Sequence, residues 1–440
     1  EDLLLRPAEP GTVPSGWLGI DPDGGDELIE RPLVLRLLVM GTEDGYEVLP
    51  GGVGVTADDA PEALKDVWVM VPETSAVPAE GEPVPSSAEQ AAPLTRGVLT
   101  AYPAMTRSIG SDLFWFGRYL ERVDSTARLL RAVLDTVNDL DAESGPGARS
   151  AQAVLLGAVT DVTTTYPGFR GLDPDSPELV ADEIESLLTS RGRPGTLAQS
   201  YAALTHTTRT LRDLISDDIW PVIARMNQCL RSLTGQDPQP VEQRLTDIVD
   251  GCLTLSGAVG DSMPRNLGWD LTEAGRKIER TMGLLALLRA SLGHRRTRTA
   301  EARIAGTVAL VTESGASYRR AYHAAIQPEL LLELLLTDTT LPRSIAFQLE
   351  RLGLALDRLP DVAPTPELRA PLSALRSRID GWDARELLRP LGGEAADGAP
   401  TALLDEADAA MDTLRELATA LENRFFRPSE STSRWGIDDV

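Results

Sequence analysis

The feature that most restricts the fold of this chain is a helical segment that occurs twice. Met105 to Ala132 (MTRSIGSDLFWFGRYLERVDSTARLLRA) aligns without gaps on Met263 to Ala290 (MPRNLGWDLTEAGRKIERTMGLLALLRA), at an offset of 158 residues and with 13 of 28 positions identical. The shared centre is Gly-Arg-x-Leu/Ile-Glu-Arg, at Gly117, Arg118, Glu121 and Arg122 and again at Gly275, Arg276, Glu279 and Arg280. At about 100° per residue, Leu113, Phe116, Leu120, Val123, Ala127, Leu130 and Leu134 fall on one apolar stripe. Leu271, Ala274, Ile278, Leu285, Leu288 and Leu292 repeat it, so each copy must bury that face. Gly117 and Glu121 fall on the stripe's shoulder beside Arg118, where a second helix can approach closely over the glycine. Arg122 is expected on the far side near Trp115, with Trp269 at the same angle beside Arg280. A fainter echo at an offset of 148 pairs Leu187-Leu188-Thr189 and Pro194 to Ala198 with Leu335-Leu336-Thr337 and Pro342 to Ala346. The expectation is a mainly all-α, duplicated helical bundle with pseudo-twofold halves, about 105–230 and 263–380.

The other segments with a 3.6-residue period support that class. They lie near 150–164, 177–190, 197–233, 239–259, 300–325, 329–336, 343–358, 365–379 and 401–425. The first 75 residues differ. Leu33 to Met40, Tyr46 to Leu49 before Pro50-Gly51-Gly52, and Val67 to Val71 are short β-branched or apolar runs between turn signals, which predict a small β-rich segment over 1–75. Residues 72–96 then turn to Pro, Glu, Ser and Ala (PETSAVPAEGEPVPSSAEQAAP for 72–93), the composition of a flexible acidic linker. A helical domain over 97–427 and a tail over 428–440 complete the expected organisation.

Charge and composition exclude several function classes. The chain has 440 residues and a formal charge of −25, and an acidic surface repels phosphate backbones, which argues against nucleic-acid binding. No run approaches the roughly 20 uncharged apolar residues of a membrane helix, since Leu330 to Leu336 is interrupted by Glu333. The first residues, Glu-Asp-Leu-Leu-Leu-Arg, carry neither an initiating Met nor the layout of a secretory signal, so the chain reads as a cytoplasmic piece of a longer protein. Cys229 and Cys252 form no CxxC pair and imply no disulfide framework or zinc site. Lys65 and Lys277 are the only two lysines, and neither lies in a Gly-Lys-Ser/Thr step, which removes a P-loop.

Two readings of the repeated acids stand side by side. In one, the Glu/Arg pairs form a half-buried salt-bridge network that fixes how the halves dock. In the other, Glu121 and Glu279 meet across the pseudo-twofold and line a polar pocket for a cation, an amine or a catalytic proton. A di-metal carboxylate site needs Glu-x-x-His on two helices, and the residues three before His206, His294 and His323 are Ala203, Ser291 and Arg320, so no metal site is expected. The cluster Arg295, Arg296, Arg298 suits a helix C-terminus, with anion binding as the alternative. Tyr318-Arg319-Arg320 with Tyr322 suits either a helix face or part of a pocket.

The Phe-Gly-Arg-Tyr-Leu-Glu-Arg run, together with GRKIER, Arg212-Asp213-Leu214-Ile215-Ser216, Tyr318-Arg319-Arg320, Leu341-Pro342-Arg343-Ser344-Ile345-Ala346-Phe347-Gln348-Leu349 and Arg424-Phe425-Phe426, resembles the alpha-E family of bacterial helical domains over about 105–426. Val34-Leu35-Arg36, Gly45 to Gly52 (GYEVLPGG) and Lys65-Asp66-Val67-Trp68-Val69 resemble the last segment of a circularly permuted ATP-grasp domain, although Gly54 and Val55 stand where that family continues with Thr-Arg. The resemblance implies an ATP-dependent carboxylate–amine ligase system in which the helical portion binds substrate or partner for an ATP-grasp domain. ATP and Mg²⁺ would come with the ATP-grasp portion, with Arg36 and Lys65 as nucleotide contacts. Candidate substrate contacts are Arg118, Arg122, Arg276 and Arg280, joined by Tyr318, Arg319 and Arg343. Alternatives are a catalytic bundle using Glu121 and Glu279, and a scaffold for homo-oligomer assembly.

Overall fold

A computed structural model describes residues 12–15, 29–42, 45–56, 63–67, 106–141, 145–172, 176–232, 240–359, 366–392 and 396–426. Its contacts divide the chain into two units, Glu1–Leu99 and Thr100–Val440. The expected acidic linker and C-terminal tail lie outside the described residues.

In the first unit, β1 (Thr12–Ser15), β2 (Ile29–Thr42), β3 (Gly45–Thr56) and β4 (Ala63–Val67) pair antiparallel in sequence order. Pro50-Gly51-Gly52, expected to end a strand, instead lies within β3. Pairing shifts there from Val39↔Val48 to Leu37↔Gly52, which places Pro50 in an irregularity of the ladder, where a missing N–H costs no hydrogen bond. Of the expected strand Val67 to Val71, Val67 lies in β4 and 68–71 lie outside the described residues. Arg36 sits opposite Val53 on β2, and Lys65 opposite Gly54 on β4.

The second unit is helical. Its centre is α1 (Arg107–Asp141) packed on α7 (Leu267–Leu292), the most extensive helix–helix contact in the unit. All thirteen residues of the two apolar stripes are buried, as the 3.6-residue period requires. Against α1 lie α2 (Pro146–Thr163), α4 (Leu197–Thr210) and α6 (Val241–Ser262), with α3 (Pro177–Thr189) on α4 and α5 (Ile219–Ser232) on α6. α2 also packs on α7 and on α8 (Arg298–Val311). After the short α9 (Gly315–Tyr322) and α10 (Pro328–Thr337), α11 (Ile345–Arg358) and α14 (Leu403–Phe425) cover α7 from other sides. Between them, α12 (Pro366–Asp380) bridges α11 and α14, and α13 (Ala384–Leu387) packs on α10.

Helix starts follow local chemistry. Asn266 caps α7 by accepting from the Gly268 and Trp269 amides at 3.1 and 3.4 Å, while prolines open α2, α3 and α10. Two expected helices prove to be broken. The segment 197–233 divides into α4 and α5, and 300–325 into α8 and α9. The second break carries no Gly or Pro. Glu313 turns left-handed with φ +50°, its amide returns to the Leu310 carbonyl at 3.1 Å and the Ser314 amide to the Ala309 carbonyl at 3.0 Å, so backbone bonds close the helix end. α13 spans four residues, too few for periodicity to reveal.

Candidate functional site

The repeat brings its charged residues together across the α1–α7 contact rather than along each helix. A Cβ on Gly117 would overlap the Thr272 carbonyl oxygen, and one on Gly275 would overlap that of Phe114, so each glycine lets the opposite backbone pass. At that separation the acids and arginines cross over. Glu121 accepts from Arg280 Nε at 2.6 Å and Nη2 at 2.5 Å. Glu279 accepts from Arg118 Nε at 2.8 Å and Arg122 Nε at 2.5 Å. Arg276 is drawn instead to Glu273 at 2.9 Å, a carboxylate it shares with Lys277 at 3.0 Å.

The expected far-side position of Arg122 is therefore corrected. Its long stem swings the guanidinium back to Glu279, with the charge 5.6 Å from the Tyr119 ring. Trp115 lies under Arg118, at 4.7 Å, and Trp269 under Arg265, at 3.6 Å, rather than beside Arg122 and Arg280. Helical angle places a Cβ, but four rotatable bonds decide where an arginine charge ends.

Burial alone would raise the pKa of Glu121. The charge and hydrogen bonds of Arg280, helped by Arg276 and Arg343, overcome that and bring it from 4.5 to about 2. Glu279 is likewise held down: burial opposes, and Arg122 and Arg118 prevail. Carboxylates held below their usual range are weak bases and carry no proton to donate at neutral pH, so the pairs are better suited to holding arginines in place than to acid–base chemistry. Lowered carboxylate pKa values contribute stability that is complete above the unfolded value near 4.5 and disappears as pH falls toward 2. Thermal melts followed by circular dichroism should therefore show the steepest loss below pH 4.5. The same melts on Glu121→Gln should show a flatter acid limb; an unchanged limb would remove Glu121 as its source.

Each acid lines a different cavity. Glu121 borders a crevice of about 50 Å³ with Arg280 and Arg343. Glu279 borders a cavity of about 540 Å³ with Arg118 and Arg122, and Ser125, Val162 and Gly283 contribute to the walls of both. The crevice is small because Arg343 occupies it, 3.7 Å from Asp124 and 3.6 Å from Glu313, next to buried Arg128, which Asp124 grips at 2.8 and 2.9 Å. Burial and the nearby Arg280 charge lower the Arg343 pKa.

Tyr318 stands apart from both cavities. Fully buried, it donates to the Ala325 carbonyl at 3.0 Å and accepts from the Gln327 amide at 3.0 Å, closing the α9–α10 turn. Arg319 is exposed on α9. Reasoning from the repeat missed the remainder of the larger cavity: Asp161 on α2 and Tyr166 just after it, Arg289 near the end of α7, and Asp408 and Arg415 on α14. One signal was present, the mismatch of Gly195 with Arg343 inside the offset-148 echo.

A helical domain centred on two Gly-Arg-x-x-Glu-Arg helices that exchange Glu–Arg pairs is the class this fold and site define. The chain belongs to the Alpha-E family, described as a predicted alpha-helical domain with a conserved ER motif, which it matches over residues 105–426. It is 29% identical over 424 residues to the uncharacterized protein Mb2597 of Mycobacterium bovis and to the uncharacterized protein Rv2567 of Mycobacterium tuberculosis. Each match covers 92% of this chain and 47% of the relative, so the chain spans about half the length of the curated relatives it matches. No solved structure matches it. Among the described residues, no helix is long and apolar enough to cross a membrane.

Proposed function

We propose that this chain is the helical module of an ATP-dependent carboxylate–amine ligase system, binding substrate for an ATP-grasp domain. The observation that carries the binding role is the 540 Å³ cavity beside Glu279, a volume suited to a small organic molecule and walled by charged and apolar side chains together. Support for the ligase setting is the resemblance of the first unit to the end of a permuted ATP-grasp domain, on which Arg36 and Lys65 are the proposed nucleotide contacts. ATP and Mg²⁺ would be held mainly by the remainder of the ATP-grasp domain, with Arg36 and Lys65 as this chain's contribution.

The crossed ion pairs favour a second, structural role for the Glu121 side, where Arg343 leaves little room for a ligand. We also infer that α1–α2–α4 and α7–α8–α11 descend from one duplicated unit. In support, Thr163 and Thr312 at the ends of α2 and α8 each bond back four residues and pair with a hydroxyl two residues on, at 2.8 and 2.7 Å. Thr196 and Ser344 cap α4 and α11 through the Gln199 and Phe347 amides, both at 3.1 Å.

The test is ATP-dependent coupling of a carboxylate to an amine by the complex of this chain with its ATP-grasp domain, followed by ADP release. Arg122→Ala is expected to raise KM for the carboxylate substrate by about tenfold, the loss of one charged hydrogen-bonding group. Coupling that proceeds equally well without the helical unit would end the reading.

A further inference from the structure

The turn before α4 and the turn before α11 share one local structure, Pro194-Gly195-Thr196 and Pro342-Arg343-Ser344, yet differ at the central residue. Thr196 Oγ1 donates to the Ser190 carbonyl at 2.5 Å, and Ser344 Oγ donates to the equivalent Asp338 carbonyl. In the second turn, the Arg343 guanidinium enters the crevice beside Glu121. In the first turn, Gly195 has no side chain. Its φ is +84°, and a Cβ there would overlap the Thr163 carbonyl oxygen, so a side chain is disfavoured and the space beside Glu279 stays open.

Charge in that open cavity is unevenly matched. Arg289 faces Asp408 at 2.7 Å, Arg415 pairs with Asp412, and Asp161 with Arg170. By contrast, Arg118 and Arg122 share one carboxylate, Glu279, and each spends only its Nε on it. Among the described residues, Arg118 Nη2 otherwise meets only the Met282 sulfur, at 4.0 Å, and the Nη groups of Arg122 meet no acceptor. Arg118 is 8% exposed, and its guanidinium is stacked on Trp115, so its direction is set before any ligand arrives. The positive end of α4, represented by Gln199, borders the same space. Two guanidiniums against one carboxylate leave one positive charge, which a single carboxylate neutralises and a doubly charged phosphate would overshoot. Val162, Met282, Ala286 and Met411 supply apolar wall for the body of such a molecule.

We propose that the Glu279 cavity binds a small molecule through one carboxylate, held by the Nη groups of Arg118 and Arg122, with Gly195 leaving the room that Arg343 fills in the other half. The proposal rests on the binding role given above and adds where the carboxylate sits and which atoms hold it; its test needs neither ATP nor a partner domain, so it can fail independently of the ligase reading.

The experiment is calorimetric titration of the full chain at low ionic strength with N-acetyl-leucine, its neutral counterpart N-acetyl-leucinamide, and inorganic phosphate. Two variants report on the site. Arg122→Gln removes half of the carboxylate clamp, and Gly283→Phe plugs the cavity from a helical position where a Cβ meets nothing within 4 Å. N-acetyl-leucine is expected to bind at least tenfold more tightly than the amide and than phosphate. Arg122→Gln should weaken it about tenfold, and Gly283→Phe should abolish it while cooperative melting persists. Equal binding of acid and amide, preference for phosphate, binding that survives Gly283→Phe, or no binding of N-acetyl-leucine would each overturn the proposal. Should either variant fail to melt cooperatively, the comparison of acid, amide and phosphate on the wild-type chain decides alone.

Discussion

Replacing Glu121 by Gln should lower the stability of the helical unit by about 3–5 kcal/mol, the cost of leaving one member of a buried ion pair without its partner. Glu121 is 2% exposed and takes two charged hydrogen bonds from Arg280, while Arg276 and Arg343 add further positive charge nearby. Glutamine keeps the shape and removes the carboxylate that takes both of Arg280's charged hydrogen bonds. Its cost is therefore electrostatic, and removing the second charge should return most of it. In denaturant titrations the pair Glu121→Gln with Arg280→Met is expected to be markedly more stable than Glu121→Gln alone. A loss under about 1 kcal/mol for the single variant, or no recovery in the double, would mean that the pair does not hold α1 to α7.

Gly275→Val should be the other severe change. Its side chain would meet the Phe114 backbone carbonyl and the Arg118 stem, and a backbone atom inside a 35-residue helix cannot move aside without shifting the helix. Overpacking of this kind costs typically 1–3 kcal/mol. Moving α1 off α7 would also break both crossed ion pairs, so about 4 kcal/mol or outright loss of the folded unit is expected, with Gly117→Val behaving alike because it meets Thr272. Gly283→Ala is the control. It lies on the same helix with nothing near its Cβ, and should be neutral or gain about 0.5–1 kcal/mol from helix propensity. Equal outcomes at Gly275 and Gly283 would show that close approach is not why glycine stands at 275.

How much of this was legible beforehand follows from the range of each interaction. The apolar stripes of α1 and α7 and the shoulder position of Gly117 and Glu121 depend on neighbours within about one helical turn, so periodicity and spacing sufficed. The break after α8 was also local, but it depends on Glu313, not a glycine, taking the left-handed conformation, and residue type alone does not reveal that. The destination of Arg122 was hidden for a related reason: the side chain reaches far enough to choose between its own helix and one that begins about 150 residues later.

By itself, then, the sequence determined a helical domain with two copies of one charged helix, because helix formation and amphipathicity are set by residues a few positions apart. Only the tertiary structure decided that each glutamate serves the other copy's arginines, and that one side is filled while the other is open. Those outcomes depend on the packing of α1 against α7 and on the paths of the turns at Gly195 and Arg343, contacts between segments far apart in the chain, for which no local pattern carries information.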